Sequence, residues 1–396
     1  EQPIIAHRIR QASLEGATVC SINFFERDLL MPVDQQLALN TSEMLESLAG
    51  IAKALTAVYQ GDDQQWRDLL PYRSPSAFEQ NVALQLSNAR NATLLMGDLI
   101  NHHPQASKLR ALAALVAELS ESRLLVLPSA NAHAHAVAGT RPRGKARHAR
   151  ESWEGALRAY VMMGFDPKFD TAQPRVVHDA LRRASFVVSI DSFENDWARQ
   201  YANVLLPMAC FSETSGTFVG IDQRWQRFAG AVPPRGDSRP GWKILRVLGN
   251  IAELSGFDYV SSQDVVDEIE QQTPSSDTEQ QGYLPDALDI ETDLMLISEV
   301  PMYRTDNLLR HSQALQKTPE SQASLVARIN PAEAEKRGLD SQHRVMISQR
   351  ERQISLPLEL DEQIAEGCIY LAAATDFSAE LGDMFAEVQV SRVEER

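Results

Sequence analysis

Residues 156–207 read ALRAYVMMGFDPKFDTAQPRVVHDALRRASFVVSIDSFENDWARQYANVLLP, and their pattern decides the fold class. Ala156 to Met163 is an apolar run that stops at Gly164-Phe165-Asp166-Pro167, which predicts a strand entering a turn. Val176 to Ala184 has helical spacing. Ser185 to Ile190 predicts a second strand, ending at Asp191, and Val204 to Leu206 a short third one before Pro207. Apolar strands separated by helices predict parallel strands covered on both faces. These strands end in small or acidic residues, and the carboxyl edge of a doubly wound sheet is where ligands bind. The same residue types also simply make turns.

Working outward, the texture continues upstream. Ile4 to Leu14 predicts a helix, Ala17 to Phe24 a buried strand, and Thr41 to Tyr59 an amphipathic helix opened by Thr41-Ser42-Glu43. Ala92 to Met96 and Arg123 to Leu127 predict strands flanking a helix over Gln105 to Leu119. After about residue 320 the pattern changes. Residues 344–360 approach strict alternation, as a small closed β domain requires. The expected fold is α/β, with doubly wound, mostly parallel sheets followed by a small C-terminal β-barrel domain. The expected division is a partial α/β domain over 1–75, a second over 76–260, an acidic linker over 261–300, and the barrel over 301–396.

The 396 residues carry 38 Lys and Arg against 54 Asp and Glu, a formal charge of −16. From Val247 to Tyr303 there is no Lys or Arg and there are thirteen acids, so this stretch carries most of the excess. Its polar middle, Gln271 to Gly282, reads as a solvated link. Such an acidic chain would need a local basic face to bind nucleic acid, and none of sufficient size is evident. Arg141 to Arg150 (RPRGKARHAR) is a basic loop, a solvated turn or a docking patch for an acidic partner. No apolar run is long enough to span a bilayer. Cys20, Cys210 and Cys368 are isolated, which excludes a cluster built from local cysteines and points to a reducing compartment.

Familiar catalytic motifs are absent: no GxGxxG, GxxxxGK[ST], HExxH or GxSxG occurs. His133 and His135 would share a face if their segment were extended, so they are weak metal-ligand candidates without a third partner. His102-His103-Pro104 caps a helix more readily than it catalyses. The hydroxyl-rich Ser212 to Thr217 makes a turn or cradles an anion. From the residues alone no catalytic centre emerges.

Tyr201 to Ile251, with Tyr201-Ala202-Asn203-Val204-Leu205-Leu206-Pro207, then Glu213-Thr214-Ser215-Gly216-Thr217-Phe218, then Gly241-Trp242-Lys243-Ile244-Leu245, resembles the signature of the molybdopterin oxidoreductase superfamily. Tyr160 to Pro167 and Phe186 to Phe193 resemble its preceding strands. Ala327 to Asp340 and the strands after it resemble its C-terminal double-psi β-barrel. Two departures, Asn203 for the usual Asp and Gly220-Ile221-Asp222 in the following turn, weigh against a working pterin site and leave the fold intact. The resemblance places Gly164, Asp191, Glu213 and Gly216 at the vestigial pterin edge.

Within the superfamily, Arg224 to Val232, Arg239 to Lys243 and Val300 to Thr318 resemble the large peripheral iron–sulfur subunit of complex I, the NADH–quinone oxidoreductase. That resemblance implies a scaffolding segment in the peripheral arm, without a catalytic residue or cofactor of its own. It implies [4Fe-4S] and [2Fe-2S] clusters in upstream domains and electron transfer from NADH to quinone by the whole enzyme. The chain would be the C-terminal part of that large subunit, cut before those domains. Its partners would be other peripheral-arm subunits, at the cytoplasmic face of the inner membrane and without insertion into it. Two other readings stand beside it: part of a catalytic molybdopterin enzyme of the formate dehydrogenase or nitrate reductase type, and a metal-dependent enzyme using His133 and His135.

Overall fold

The computed structural model describes residues 2–59, 70, 73–129, 131–140, 142, 144–155, 157–272 and 293–393. The first unit holds β1 (Cys20–Asn23) parallel to β2 (Gln35–Ala38) and β3 (Thr93–Met96) parallel to β4 (Arg123–Val126). The helix Thr41–Thr56 packs against the helices Ala77–Asn88 and Ala106–Leu119 through Ile51, Leu55, Ala83, Leu115 and Val116. Its cap lies one residue before the expected one. The Asn40 side chain accepts from the Ser42 and Glu43 amides, and the Glu43 carboxylate accepts from the Asn40 amide, closing a capping box. The division expected at 75/76 falls inside this unit, because helices from both sides of it share one core. Arg73 and Glu79 also join across it, with two hydrogen bonds of 2.6 and 2.8 Å.

The second unit is a parallel sheet of β5 (Ala159–Met163), β6 (Phe186–Asp191) and β7 (Val204–Pro207). The helix Pro174–Arg183 covers one face, burying Val177, Ala180 and Leu181 against Tyr160, Met162 and Val187. On the other face Val188 and Ile190 of the central strand are buried, but Val161, Met163 and Phe186 are exposed, where burial of the whole face was expected. An antiparallel hairpin, β8 (Gly216–Val219) and β9 (Trp225–Phe228), follows. It was not anticipated, since four-residue strands give too short an alternation to read.

The third unit is a seven-stranded mixed sheet. Its strands are β10 (Met295–Ile297), β11 (Ala327–Ile329), β12 (Arg344–Gln349), β13 (Arg352–Leu360), β14 (Cys368–Tyr370), β15 (Ala386–Glu387) and β16 (Gln389–Arg392), ordered β15-β10-β14-β11-β13-β12-β16. One side of it encloses Leu296, Ile329, Ile347, Leu356 and Ile369. Cys368, Tyr370 and Ile364 instead join Phe24, Phe25 and Leu45 in a core shared with the first unit. The described parts of the linker expected over 261–300 form regular elements. Residues Ser262–Gln272 form a helix with Val266 buried, and β10 lies within the third sheet. Apolar residues at helical spacing in one case, and the Met295-Leu296-Ile297 run in the other, outweigh the surrounding acidity. Of the polar middle, Gln271 to Gly282, all but residues 271–272 lies outside the described residues, as does the stretch 283–292. Among the described residues no helix is long and apolar enough to cross a membrane.

Candidate functional site

The carboxyl ends of β5 and β6 meet where the Gly164 amide donates to the Ile190 carbonyl at 2.9 Å. Gly164 has φ +58°, a left-handed conformation that glycine adopts without strain, and this turns the chain out of β5. Beyond it Asp166 is buried, only 3% exposed. Its carboxylate accepts from the Lys168 amide at 2.9 Å, and its own amide donates to Asp170 at 2.8 Å. Asp191, closing β6, accepts from the Ser192 and Phe193 amides at 2.6 and 3.4 Å. Burial raises both Asp166 and Asp191 above the ordinary aspartate range, and their hydrogen bonds only partly offset it. Among the described residues the buried Tyr201 hydroxyl has no hydrogen-bond partner, and burial, with Asp166 and Asp191 nearby, raises its pKa.

The segment over 301–318 straps this edge. Asn307 donates to the second oxygen of Asp191 at 3.0 Å. Arg310, with a side chain 7% exposed, pairs with Asp170, donates to the Arg304 carbonyl at 2.8 Å, and lies 5.4 Å from the Phe169 ring centroid. His311 stacks on Phe193 at 4.4 Å. Contacts from the third unit complete the strap: Lys168 pairs with Asp376, Gln173 donates to Asp383 at 3.0 Å, and Arg304 donates to the Ser324 hydroxyl at 3.2 Å.

A model of the family "Molybdopterin oxidoreductase" matches residues 1–251. The chain belongs to the molybdopterin oxidoreductase family. Relatives named "Putative formate dehydrogenase" in Staphylococcus aureus are 31% identical over 121 residues in strain MRSA252 and 32% identical over 123 residues in strain USA300. Each match covers 31% of this chain and 12% of the relative, so the chain spans only a small part of these relatives. Among solved structures, acetylene hydratase from Pelobacter acetylenicus superposes with a TM-score of 0.69 at 11% identity, covering 98% of this chain and 75% of that one. That likeness concerns the fold.

A molybdopterin oxidoreductase binds a phosphate-bearing pterin, which calls for N–H cradles and free cations at strand ends. The ends of β5 and β6 do not by themselves supply these. They present Asp166, Asp170 and Asp191, while Arg310 and Lys168 are paired to carboxylates and Arg304 is bonded into the third unit.

Of the residues expected at a vestigial pterin edge, the structure brings Gly164 and Asp191 together. Gly216 lies instead in β8, where a Cβ would come within 2.7 Å of the Phe228 ring, so close packing explains the glycine. The Glu213 carboxylate accepts from the Cys210 amide at 3.2 Å and lines a separate cavity. His133 and His135 fall on the short helix Ala132–Val137. Two residues apart on a helix point about 200° apart, so the shared face that an extended segment would give them is lost. Among the described residues no three His, Cys, Asp or Glu side chains gather as a metal site. His103 is buried, accepts from the Gln105 amide at 2.9 Å, and bonds the Thr41 carbonyl at 3.1 Å, a structural arrangement. Asn203, at the departure from the family pattern, accepts from the Val187 amide at 2.7 Å and so registers β7 on β6. The strap residues Asn307, Arg310 and His311 were missed as site residues. Their signal is faint: polar side chains three and four apart, at helical spacing, after a long stretch without a cation.

Proposed function

We propose that this chain is a structural segment of a multi-subunit oxidoreductase, with no redox centre of its own, and that its setting is the peripheral arm of complex I. The observation that carries this reading is the strapped β5–β6 edge, whose carboxylates and paired cations suit a self-contained body better than a phosphate-bearing cofactor. The strap is also part of the Val300 to Thr318 stretch that resembles the large iron–sulfur subunit of complex I. The iron–sulfur clusters, the partner subunits and the double-psi form of the C-terminal sheet belong to the same proposal. A second reading, part of a catalytic molybdopterin enzyme of the formate dehydrogenase type, is favoured by the names of the staphylococcal relatives, which stand nearer to it than to the first. Metal analysis of the purified full-length protein separates the two. Iron without molybdenum is expected. One molybdenum per chain would overturn the structural reading in favour of the enzyme.

A further inference from the structure

The helix Gly241–Ile251 ends on a surface whose charges and side chains both run against the usual pattern. Its last turn closes as a Schellman motif: the Glu253 amide donates to the Asn250 carbonyl at 3.1 Å and the Leu254 amide to the Gly249 carbonyl at 3.0 Å. The residue after the cap must then be left-handed, a conformation that glycine adopts without strain. Here it is Glu253, with φ +55°. A helix C-terminus also favours cations, yet the last turn has no basic residue and a carboxylate follows it. Exposed Glu253 and Asp258 have no ion-pair partner among the described residues, and no Lys or Arg occurs from Val247 to Tyr303. Apolar side chains lie beside these charges. Val247 and Ile251, four apart and so on one helix face, are 43% and 74% exposed, and Leu254 is 56% exposed. The apolar partner usual for a residue at the Leu254 position would be the side chain at Gly249, which has none. Phe257 fills that space, where a Cβ on Gly249 would collide with its ring, and Arg246 donates to the Tyr259 carbonyl at 3.0 Å. The surface is therefore held in place from beneath. Backbone strain and an uncompensated charge beside clustered exposed apolar groups are marks of a binding surface.

We infer that this helix end docks a cationic amphipathic helix of another protein. The partner's aliphatic side chains cover Val247, Ile251 and Leu254, and its Lys or Arg side chains meet Glu253, Asp258 and the last helix carbonyls. Charge disfavours the other occupants. Residues 273–292 of this chain hold five acids and no Lys or Arg. A second copy across a two-fold axis would set these carboxylates against their like. An anionic lipid surface or a nucleic acid would be repelled. The surface uses no strap residue, so it stands apart from the proposed function.

The probe is a labelled amphipathic peptide, LKKLLKLLKKLLKL, titrated with the full chain at physiological ionic strength and followed by fluorescence anisotropy. Saturable one-to-one binding is expected, and a peptide with Ser in place of each Leu, which keeps the charge, should bind at least about tenfold more weakly. Val247→Ser/Ile251→Ser should weaken the leucine peptide by about tenfold or more. Glu253→Gln/Asp258→Asn should weaken it roughly fivefold and flatten its salt dependence. Glu351→Gln/Glu362→Gln, the same charge change at exposed sites in the third unit, should leave binding unchanged. Glu253→Gly should weaken the peptide without lowering the melting temperature, since it relieves the left-handed strain, and so separates a lost contact from lost folding. Absence of saturable binding, equal binding by the folded Val247→Ser/Ile251→Ser variant, or equal binding of the serine peptide would overturn the site. A dimer in sedimentation that Ile251→Ser dissolves would assign the surface to a second copy and overturn it as well.

Discussion

Removing Arg310 should open the strap without unfolding the sheet beneath it. Its side chain is 7% exposed and that of Asp170 26%. Breaking a buried pair costs about 3–5 kcal/mol, because one charge is left behind, and the partial exposure of Asp170 lowers this. Arg310→Met therefore should cost about 2–4 kcal/mol locally, including the lost bond to the Arg304 carbonyl. Asp170→Asn should cost less, since its oxygen can still accept from the Asp166 amide. Hydrogen exchange reads local opening directly. Amides over 304–317 should exchange roughly 30- to 700-fold faster in Arg310→Met, at about 1.4 kcal/mol per tenfold. The double variant should lose little beyond Arg310→Met alone, a coupling of about 1–3 kcal/mol. Unchanged exchange over 304–317, or an equal rise in β12 and β13, would refute the strap: the first outcome means no anchoring, the second a general loss of stability.

Three further outcomes follow from buried groups elsewhere. Gly50→Ala would place a Cβ 2.3 Å from the Glu79 carboxyl carbon, which Arg73 and the Ser76 amide hold in place; a loss of about 2 kcal/mol is expected by urea denaturation in place of the usual helix gain, and it should vanish in a Glu79→Ala background. Burial lowers the His103 pKa below its ordinary 6.5, with the Thr41 hydrogen bond opposing; its contribution is therefore full above 6.5 and lost as pH falls through the depressed folded value, so His103→Phe should flatten the decline in urea midpoint between pH 7.5 and 5.5. Asp166 has a raised folded pKa, so its ionisation disfavours the native state as pH rises; Asp166→Asn should raise the midpoint at pH 7 and lose that advantage toward pH 4, and a lower midpoint at pH 7 would show that the charge is needed.

What was legible in the sequence was what local pattern governs. The β5, β6 and β7 runs end at Gly164, Asp191 and Pro207 as their apolar spacing dictates, and the alternation over 344–360 becomes the hairpin of β12 and β13. The failures are matters of tertiary context. Gln35–Ala38 is too polar to announce a strand, and forms β2 because it pairs with Cys20–Asn23. The acidic stretch hid β10, since net charge says nothing of a three-residue buried run within it. The contacts around the sheet edge were less legible. Asp191 closes β6 as its pattern dictates, but its partner Asn307 lies 116 residues away, a separation that no local spacing reports.

The strap also bears on how the two functional readings differ energetically. For a phosphate-bearing cofactor to reach the β5–β6 edge, Asn307 must leave Asp191, Arg310 must leave Asp170, and His311 must leave Phe193. A hydrogen bond to a carboxylate, a largely buried ion pair and a ring stack together amount to about 4 kcal/mol. A state that costly is populated about once in a thousand molecules, and the apparent affinity of any ligand that needs it falls by the same factor. The edge nevertheless keeps what an apolar filling would avoid: two carboxylates with raised pKa and the unpartnered Tyr201 hydroxyl. Apolar residues of similar shape would remove those costs. Polar groups at the carboxyl edge of the sheet, bonded to the chain's own side chains, leave that edge covered and not filled as apolar core. A catalytic enzyme would have to move the strap before it could use that edge, whereas a structural subunit can leave it where it is.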